Sequence, residues 1–187
     1  MNHKTDEKPA LLVPNPPPGD AARVAAILGA IEQQLGFVPD GLRLYSLSPP
    51  LLEAFVANLA YFRGGTSLSP ILTTMIRYLV SADAGCQFCI DLNEGFLSNL
   101  HVDLDRARKA RTNPALAPVA ERELPLLQLA LRAVDAPDDI AAADLQVARN
   151  LGWSDREIFD AVVQAANNRA FNYILRTFKI ERQGVFA

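Results

Sequence analysis

Apolar residues recur every three or four positions along this chain in short runs. Most runs open on Ser, Asp or Pro and close on Gly or Pro. That period lays one apolar stripe along a helix, and that punctuation starts and stops helices. Val24, Ile27, Leu28, Ile31 and Leu35 predict a helix from about Asp20, its N-cap, to a stop at Gly36. Phe37-Val38-Pro39-Asp40 turns into a short helix at 40–47, and Ser48-Pro49-Pro50 opens another that Gly64-Gly65 ends. Ser69-Pro70 opens a helix striped by Ile71, Leu72, Met75, Ile76, Leu79 and Val80, with Thr74, Tyr78 and Ser81 on another face. Further helices are expected at 86–100, at 104–110 behind Asp103, and at 119–135 with Pro125 early in it or kinking it. Pro137-Asp138-Asp139 caps one at 139–151, stopped by Gly152. Ser154-Asp155-Arg156-Glu157 reads as a capping box before a long helix reaching Phe178, with Ile158, Val162, Ala165, Phe171, Ile174, Leu175 and Phe178 on its buried side. No strand alternation and no tandem repeat is visible. The fold class is all-α, a single-domain helical bundle over 20–187.

Residues 1–19 end in Pro14-Asn15-Pro16-Pro17-Pro18-Gly19, which is neither helix nor central strand. They read as an arm, flexible or laid across a neighbouring subunit. A net charge of −3, with no basic cluster among interleaved aromatics, argues against nucleic acid and against an anionic membrane. Apolar runs fall well short of about 18 residues, so no span crosses a bilayer. The polar start Met1-Asn2-His3-Lys4 lacks the apolar core of a secretion signal, and a cytoplasmic location is expected.

The chain holds two cysteines, Cys86 and Cys89, three apart at the head of a helix just after Gly85. Positions i and i+3 share a helix face, so the sulfurs can meet. Free N–H groups and the positive end of the dipole favour a thiolate there, with a pKa of roughly 3.5–7.5 in CxxC motifs or at helix starts. A structural zinc site needs four ligands. His3 in the arm and His101, twelve residues past Cys89, lack ligand spacing, so no metal is expected. Haem attachment needs His directly after the second cysteine, where Ile90 stands. A thioredoxin fold would place a strand ahead of the motif, but 70–82 reads as helix. A redox dithiol remains, against the alternative of two buried thiols acting as small hydrophobes.

This helical order resembles the alkylhydroperoxidase D-like, or carboxymuconolactone decarboxylase-like, superfamily, and within it the peroxidase-related branch. Three stretches carry the likeness: Leu35-Gly36-Phe37-Val38-Pro39 with Ser48-Pro49, then Ser81 to Cys89, then Leu151-Gly152-Trp153-Ser154 through Phe171-Asn172. The resemblance implies a catalytic pair at Cys86 and Cys89 and no bound cofactor. It also implies a homo-oligomer (dimer, trimer or hexamer), to which the arm and the Val185-Phe186-Ala187 tail are available. A small hydroperoxide is the implied substrate, with a separate thiol reductant. Active members of the family carry Glu twelve residues before the first cysteine and His four after the second, a pair understood to relay protons. Thr74 and Asn93 stand at those positions here, and neither takes up a proton near neutral pH. General acid–base help is typically worth roughly 10²–10⁴-fold, so a slow peroxidase is expected.

Other groups near the pair have plainer readings. Asp83 can replace the relay but reads first as a helix cap, and a carboxylate raises a neighbouring thiol's pKa. Tyr78 reads as a core aromatic with its hydroxyl at the rim. Asp91 and Glu94 read as solvated early-helix charges. Asn167, Asn168 and Asn172, beside Arg169 and Arg176, either line a polar pocket or hydrogen-bond between helices at a subunit contact. Three functions follow. The first is an antioxidant-type CxxC thiol oxidoreductase with weak or vestigial hydroperoxide reduction. The second is a binding or assembly protein on the same scaffold, and the third a decarboxylase-like lyase, disfavoured because no histidine lies near the candidate pocket.

Overall fold

A computed structural model describes residues 9–186. Among these residues nine α-helices and no strands form, so the chain is all-α. It divides into two compact units, residues 9–59 with 174–186, and residues 60–173.

In the first unit, α1 (Ala21–Leu35) ends where Gly36 takes a left-handed φ of 80°, as its sequence position requires. Asp20 precedes the helix without a side-chain capping bond and lies 3.5 Å from Arg23 instead. Arg23 also makes a two-pronged pair with Glu53 of α3 (Pro49–Ala60), at 2.7 and 2.6 Å. The short α2 (Asp40–Leu44) carries a buried carboxylate, Asp40, which accepts from the backbone N–H groups of Gly184 and Val185. The tail is thereby tied within its own unit. So is the proline-rich segment, where Leu11 N–H donates to the Phe178 carbonyl and Ser46 Oγ to the Pro14 carbonyl, each at 3.0 Å. Residues 1–8 of the expected arm, with His3, and Ala187 of the tail lie outside the described residues.

The second unit holds α4 (Pro70–Asp83), α5 (Gln87–Asn99), α6 (Leu104–Ala110), α7 (Leu124–Asp135), α8 (Ala142–Asn150) and most of α9 (Asp155–Thr177). Ser69 caps α4 by accepting from Leu72 N–H at 3.0 Å, with Pro70 in the first turn. The expected stripe of α4 is the core: Leu72, Met75, Ile76, Leu79 and Val80 pack with Leu97, Leu126, Leu127, Ala161 and Ala165. Ser154 and Glu157 cap each other as the sequence suggests, with Ser154 N–H donating to Glu157 Oε2 at 2.9 Å.

Two starts differ from expectation. Helix α7 begins at Leu124, after a 3₁₀ turn at Glu121–Glu123, so Pro125 sits in its first turn and kinks nothing. Helix α8 begins at Ala142, because Pro137–Asp139 closes its own 3₁₀ turn and Ile140 is extended. Its carboxylate cap is Asp144, which accepts from Ala141 N–H at 2.8 Å, not Asp138 or Asp139.

The turn between α4 and α5 matters most. Gly85 adopts a φ of 64°, Gly85 N–H donates to the Ala82 carbonyl and Cys86 N–H to the Ser81 carbonyl, at 3.1 and 3.0 Å. These are the paired bonds of a Schellman turn, which needs a left-handed residue that glycine adopts without strain. Cys86 thus ends one helix's hydrogen bonding and opens the next. Leu126→Ala should cost about 2–5 kcal/mol in urea unfolding, against about 1 kcal/mol for Ser69→Ala, since one opens a core cavity and the other removes a cap.

Candidate functional site

Cys86 is the N-cap of α5, and Cys89 follows within its first turn. The two Sγ atoms are 2.9 Å apart, and the residues are 1% and 2% exposed. No disulfide joins them in this structure. The pairing expected from the three-residue spacing is therefore present, but almost fully withdrawn from water. The expected lowering of pKa is not general to the pair. Cys89 is pushed well above the ordinary thiol range, chiefly by its hydrogen bond with Cys86, then by burial and the charge of Cys86, with Ser81 alone pulling down. Desolvation and a second sulfur outweigh the helix end there.

Around the sulfurs three helices each present a polar stripe: Thr74, Arg77 and Ser81 on α4, Cys86, Cys89 and Asn93 on α5, Gln164, Asn168 and Asn172 on α9. Asn93 is buried; its amide N–H donates to the Cys89 carbonyl at 2.8 Å, and its oxygen accepts from Arg77 Nε at 3.0 Å. Arg77 Nη2 donates to Thr74 Oγ1 at 3.0 Å, while Thr74 itself donates to the Pro70 carbonyl at 2.7 Å. One guanidinium therefore spans Thr74 and Asn93. Burial, and then the positive charge of Arg63, bring the Arg77 pKa down to about 10, so it stays cationic at neutral pH. Motif spacing does not pick out Arg77. A charged residue between Ile76 and Tyr78, inside an apolar helix, was the available signal.

Ser81 donates to the Arg77 carbonyl at 2.7 Å and accepts from Asn168 Nδ2 at 3.0 Å. Its hydroxyl also lies 3.3 Å from Asn172 Oδ1. Asn172 is fully enclosed, and its Nδ2 has no hydrogen-bond partner. Asn168 and Asn172 thus bind between helices of one chain.

Asp83 neither caps α5 nor approaches as a relay. It is the last residue of α4, and its carboxylate pairs with Arg169 at 2.5 Å, because Cys86 already occupies the N-cap position. Arg169 also pairs with Asp135. Tyr78 is fully buried, and its hydroxyl donates to Glu94 Oε1 at 2.7 Å and accepts from Arg111 Nε at 2.6 Å. Glu94 is no solvated charge but the hub of Tyr78, Arg108 and Arg111. Asp91 is exposed and accepts from Gln87.

A cavity of about 510 Å³ lies on the other side of α4, against Leu79, Val80, Arg111, Leu129, Arg132 and Arg169. Neither cysteine lines it, nor do Thr74 and Asn93. Among the described residues no group of three or more His, Cys, Asp or Glu side chains gathers as a metal site would require. No helix of the described residues is long and apolar enough to cross a membrane.

No protein-family model and no curated protein matches the chain. Solved structures do. An uncharacterized peroxidase-related protein from Silicibacter sp. TM1040 superimposes with a TM-score of 0.82 at 23% identity, over 95% of this chain and 93% of that one. An uncharacterized peroxidase-related protein with an alkylhydroperoxidase AhpD core, from Ralstonia eutropha JMP134, gives 0.78 at 21% identity over 96% and 94%. The debrominase Bmp8, a cysteine-to-alanine variant in complex with 2,3,4-tribromopyrrole, gives 0.68 at 19% over 91% and 92%. The chain has the fold of these proteins.

The Tyr78 cluster sets a pH dependence. Burial and the Glu94 hydrogen bond push the Tyr78 hydroxyl up to about 12, against about 10 in an unfolded chain. The neutral phenol is favoured by folding, so this contribution is complete below about pH 10 and is lost as pH rises through about 12. Urea unfolding at about pH 8 and about pH 11 should show a fall in stability that Tyr78→Phe flattens.

Proposed function

We propose that this protein is a thiol oxidoreductase that cycles Cys86 and Cys89 between dithiol and disulfide, with slow reduction of small hydroperoxides. The sulfur separation of 2.9 Å carries the reading. A disulfide bond measures about 2.05 Å, so closure needs a movement of roughly 0.9 Å and no rearrangement of the helices. The shared fold with peroxidase-related proteins supports the same chemistry. Fold alone does not choose the oxidant, since a debrominase shares it.

In so close a pair a charge on one sulfur opposes a charge on the other, so a single thiolate forms first, here taken as Cys86 at the N-cap of α5. That sulfur attacks the outer oxygen of the hydroperoxide. An S–O bond forms, the O–O bond breaks, and the leaving alkoxide takes a proton to become an alcohol. Cys89 then gives up its own proton and attacks the sulfenic sulfur, forming the disulfide and releasing water. Two thiols are oxidised to one disulfide, and an external thiol reductant returns two electrons and two protons. With Thr74 and Asn93 at the relay positions, no side chain there supplies or removes a proton. The rate should fall short of relay-equipped enzymes by about 10²–10⁴-fold. A homo-oligomer is the expected assembly.

The second reading, a binding or assembly protein on this scaffold, is favoured by the near-complete burial of both sulfurs. Mild peroxide followed by mass spectrometry separates the two. The redox reading expects an internal disulfide, lost in Cys86→Ser and Cys89→Ser together with peroxide turnover. Absorbance at 240 nm should then report one thiolate forming well before the other. A pair that stays reduced under peroxide, with serine variants that keep ligand affinity and cellular phenotype, would establish the scaffold reading.

A further inference from the structure

We infer that Arg77 is the anchor of an anion site beside the dithiol, and that the substrate carries a carboxylate at the end remote from its reducible group. The inference rests on the dithiol reading for the reactive end of the substrate; the anion site itself stands on Arg77.

A cation withdrawn from water is normally paired with an acid. Arg77 is not. Its recorded side-chain partners are neutral oxygens, Asn93 Oδ1 through Nε and Thr74 Oγ1 through Nη2. No carboxylate lies within ion-pair reach of it among the described residues. The acids on the helices beside it are committed elsewhere. Glu94 is held by Tyr78, Arg108 and Arg111, and Asp160 by Tyr61 and Thr66. A second guanidinium, Arg63, lies near enough to lower the Arg77 pKa further. Arg63 belongs to a π-helical turn at Tyr61–Gly65, an irregularity common at functional sites.

The guanidinium is also reachable. Arg77 is half-buried, not sealed, and its Nη1 makes no hydrogen bond among the described residues. Nε and Nη2 are already held by Asn93 and Thr74, which fixes the plane of the fork and leaves its free edge to an incoming oxyanion. Planar guanidinium suits a carboxylate in this role, and a desolvated one binds it strongly. The tie from Arg77 through Asn93 to the Cys89 carbonyl sets the distance to the chemistry. Asn93 lies four residues beyond Cys89, an axial rise of about 6 Å. A ligand anchored at Arg77 therefore presents to the sulfurs a group several bonds from its carboxylate. The side chains at the family's relay positions, Thr74 and Asn93, would here orient a substrate-binding cation and carry no proton.

The test uses the full chain with two inert probes, benzoate and its neutral isostere benzamide, titrated by calorimetry. Benzoate should bind more tightly than benzamide by about 10–100-fold, and Arg77→Gln should remove that difference, while Arg77→Lys keeps part of it. Cys86→Ser should leave benzoate affinity unchanged. A carboxylate-bearing hydroperoxide should then be reduced with a lower KM than its methyl ester, in the wild type but not in Arg77→Gln. Equal affinity for the two probes, no benzoate binding at millimolar concentration, or an Arg77→Gln variant that keeps the preference would overturn the anion site. Because the probe comparison needs only the wild-type protein, a misfolded variant does not blunt it. Benzoate selectivity without any peroxide turnover would instead sink the dithiol chemistry and leave the site standing.

Discussion

The antiparallel register of α4 against α5 underlies the rest of the second unit. It follows from one left-handed residue: Gly85 lets the chain reverse within three residues, and its Schellman bonds aim Cys86 back along the helix it has just left. With that reversal made, partners across the hairpin pair in opposite order. Ser81 meets Cys89, Arg77 meets Asn93, and Tyr78 meets Glu94. A residue with a β-carbon at position 85 would have to take up the same positive φ at a cost of order 1 kcal/mol or more, and every one of those pairs depends on it.

Helix α4 then does two jobs through its periodicity. One face, Leu72, Met75, Ile76 and Leu79, fills the core; the adjoining face, Thr74, Arg77 and Ser81, is polar throughout. Polar groups this deeply placed are tolerated because almost all of them find partners. Thr74 and Ser81 return hydrogen bonds to carbonyls one turn back, Asn93 to the carbonyl of Cys89, and Asn168 to that of Arg77. The seam is therefore hydrogen-bonded where it touches the sulfurs. Its unsatisfied atoms, on Gln164 and Asn172, lie on the α9 stripe.

Electrostatically the unit keeps its charges in two separate neighbourhoods. On one side Glu94 gathers Arg108, Arg111 and the Tyr78 hydroxyl, and its carboxyl is held below the usual range first by Arg108. On the other, Arg77 carries a positive charge among amides and hydroxyls, next to a thiol that keeps its proton. A titrating relay would couple the dithiol to pH near neutrality. A guanidinium at about 10 does not, so any pH dependence of the pair comes from the sulfurs themselves.

Much of this was legible in the chain before it folded. Local rules act within a turn or two of helix, so the Ser69 cap, the Gly36 stop, the Ser154–Glu157 box and the all-α class could be read directly. So could the meeting of Cys86 with Cys89, a matter of spacing, and the lack of a proton-carrying group at Thr74 and Asn93, a matter of residue type. What spacing cannot supply is the partner from another element. Only packing decided that Asp83 would be drawn to Arg169, that Glu94 would be half-buried beneath two arginines, and that both sulfurs would lose their solvent. Only packing placed Arg77 between Thr74 and Asn93, because a charge pair, a desolvation and a shared guanidinium are properties of residues brought together from different helices, and no window of sequence contains them.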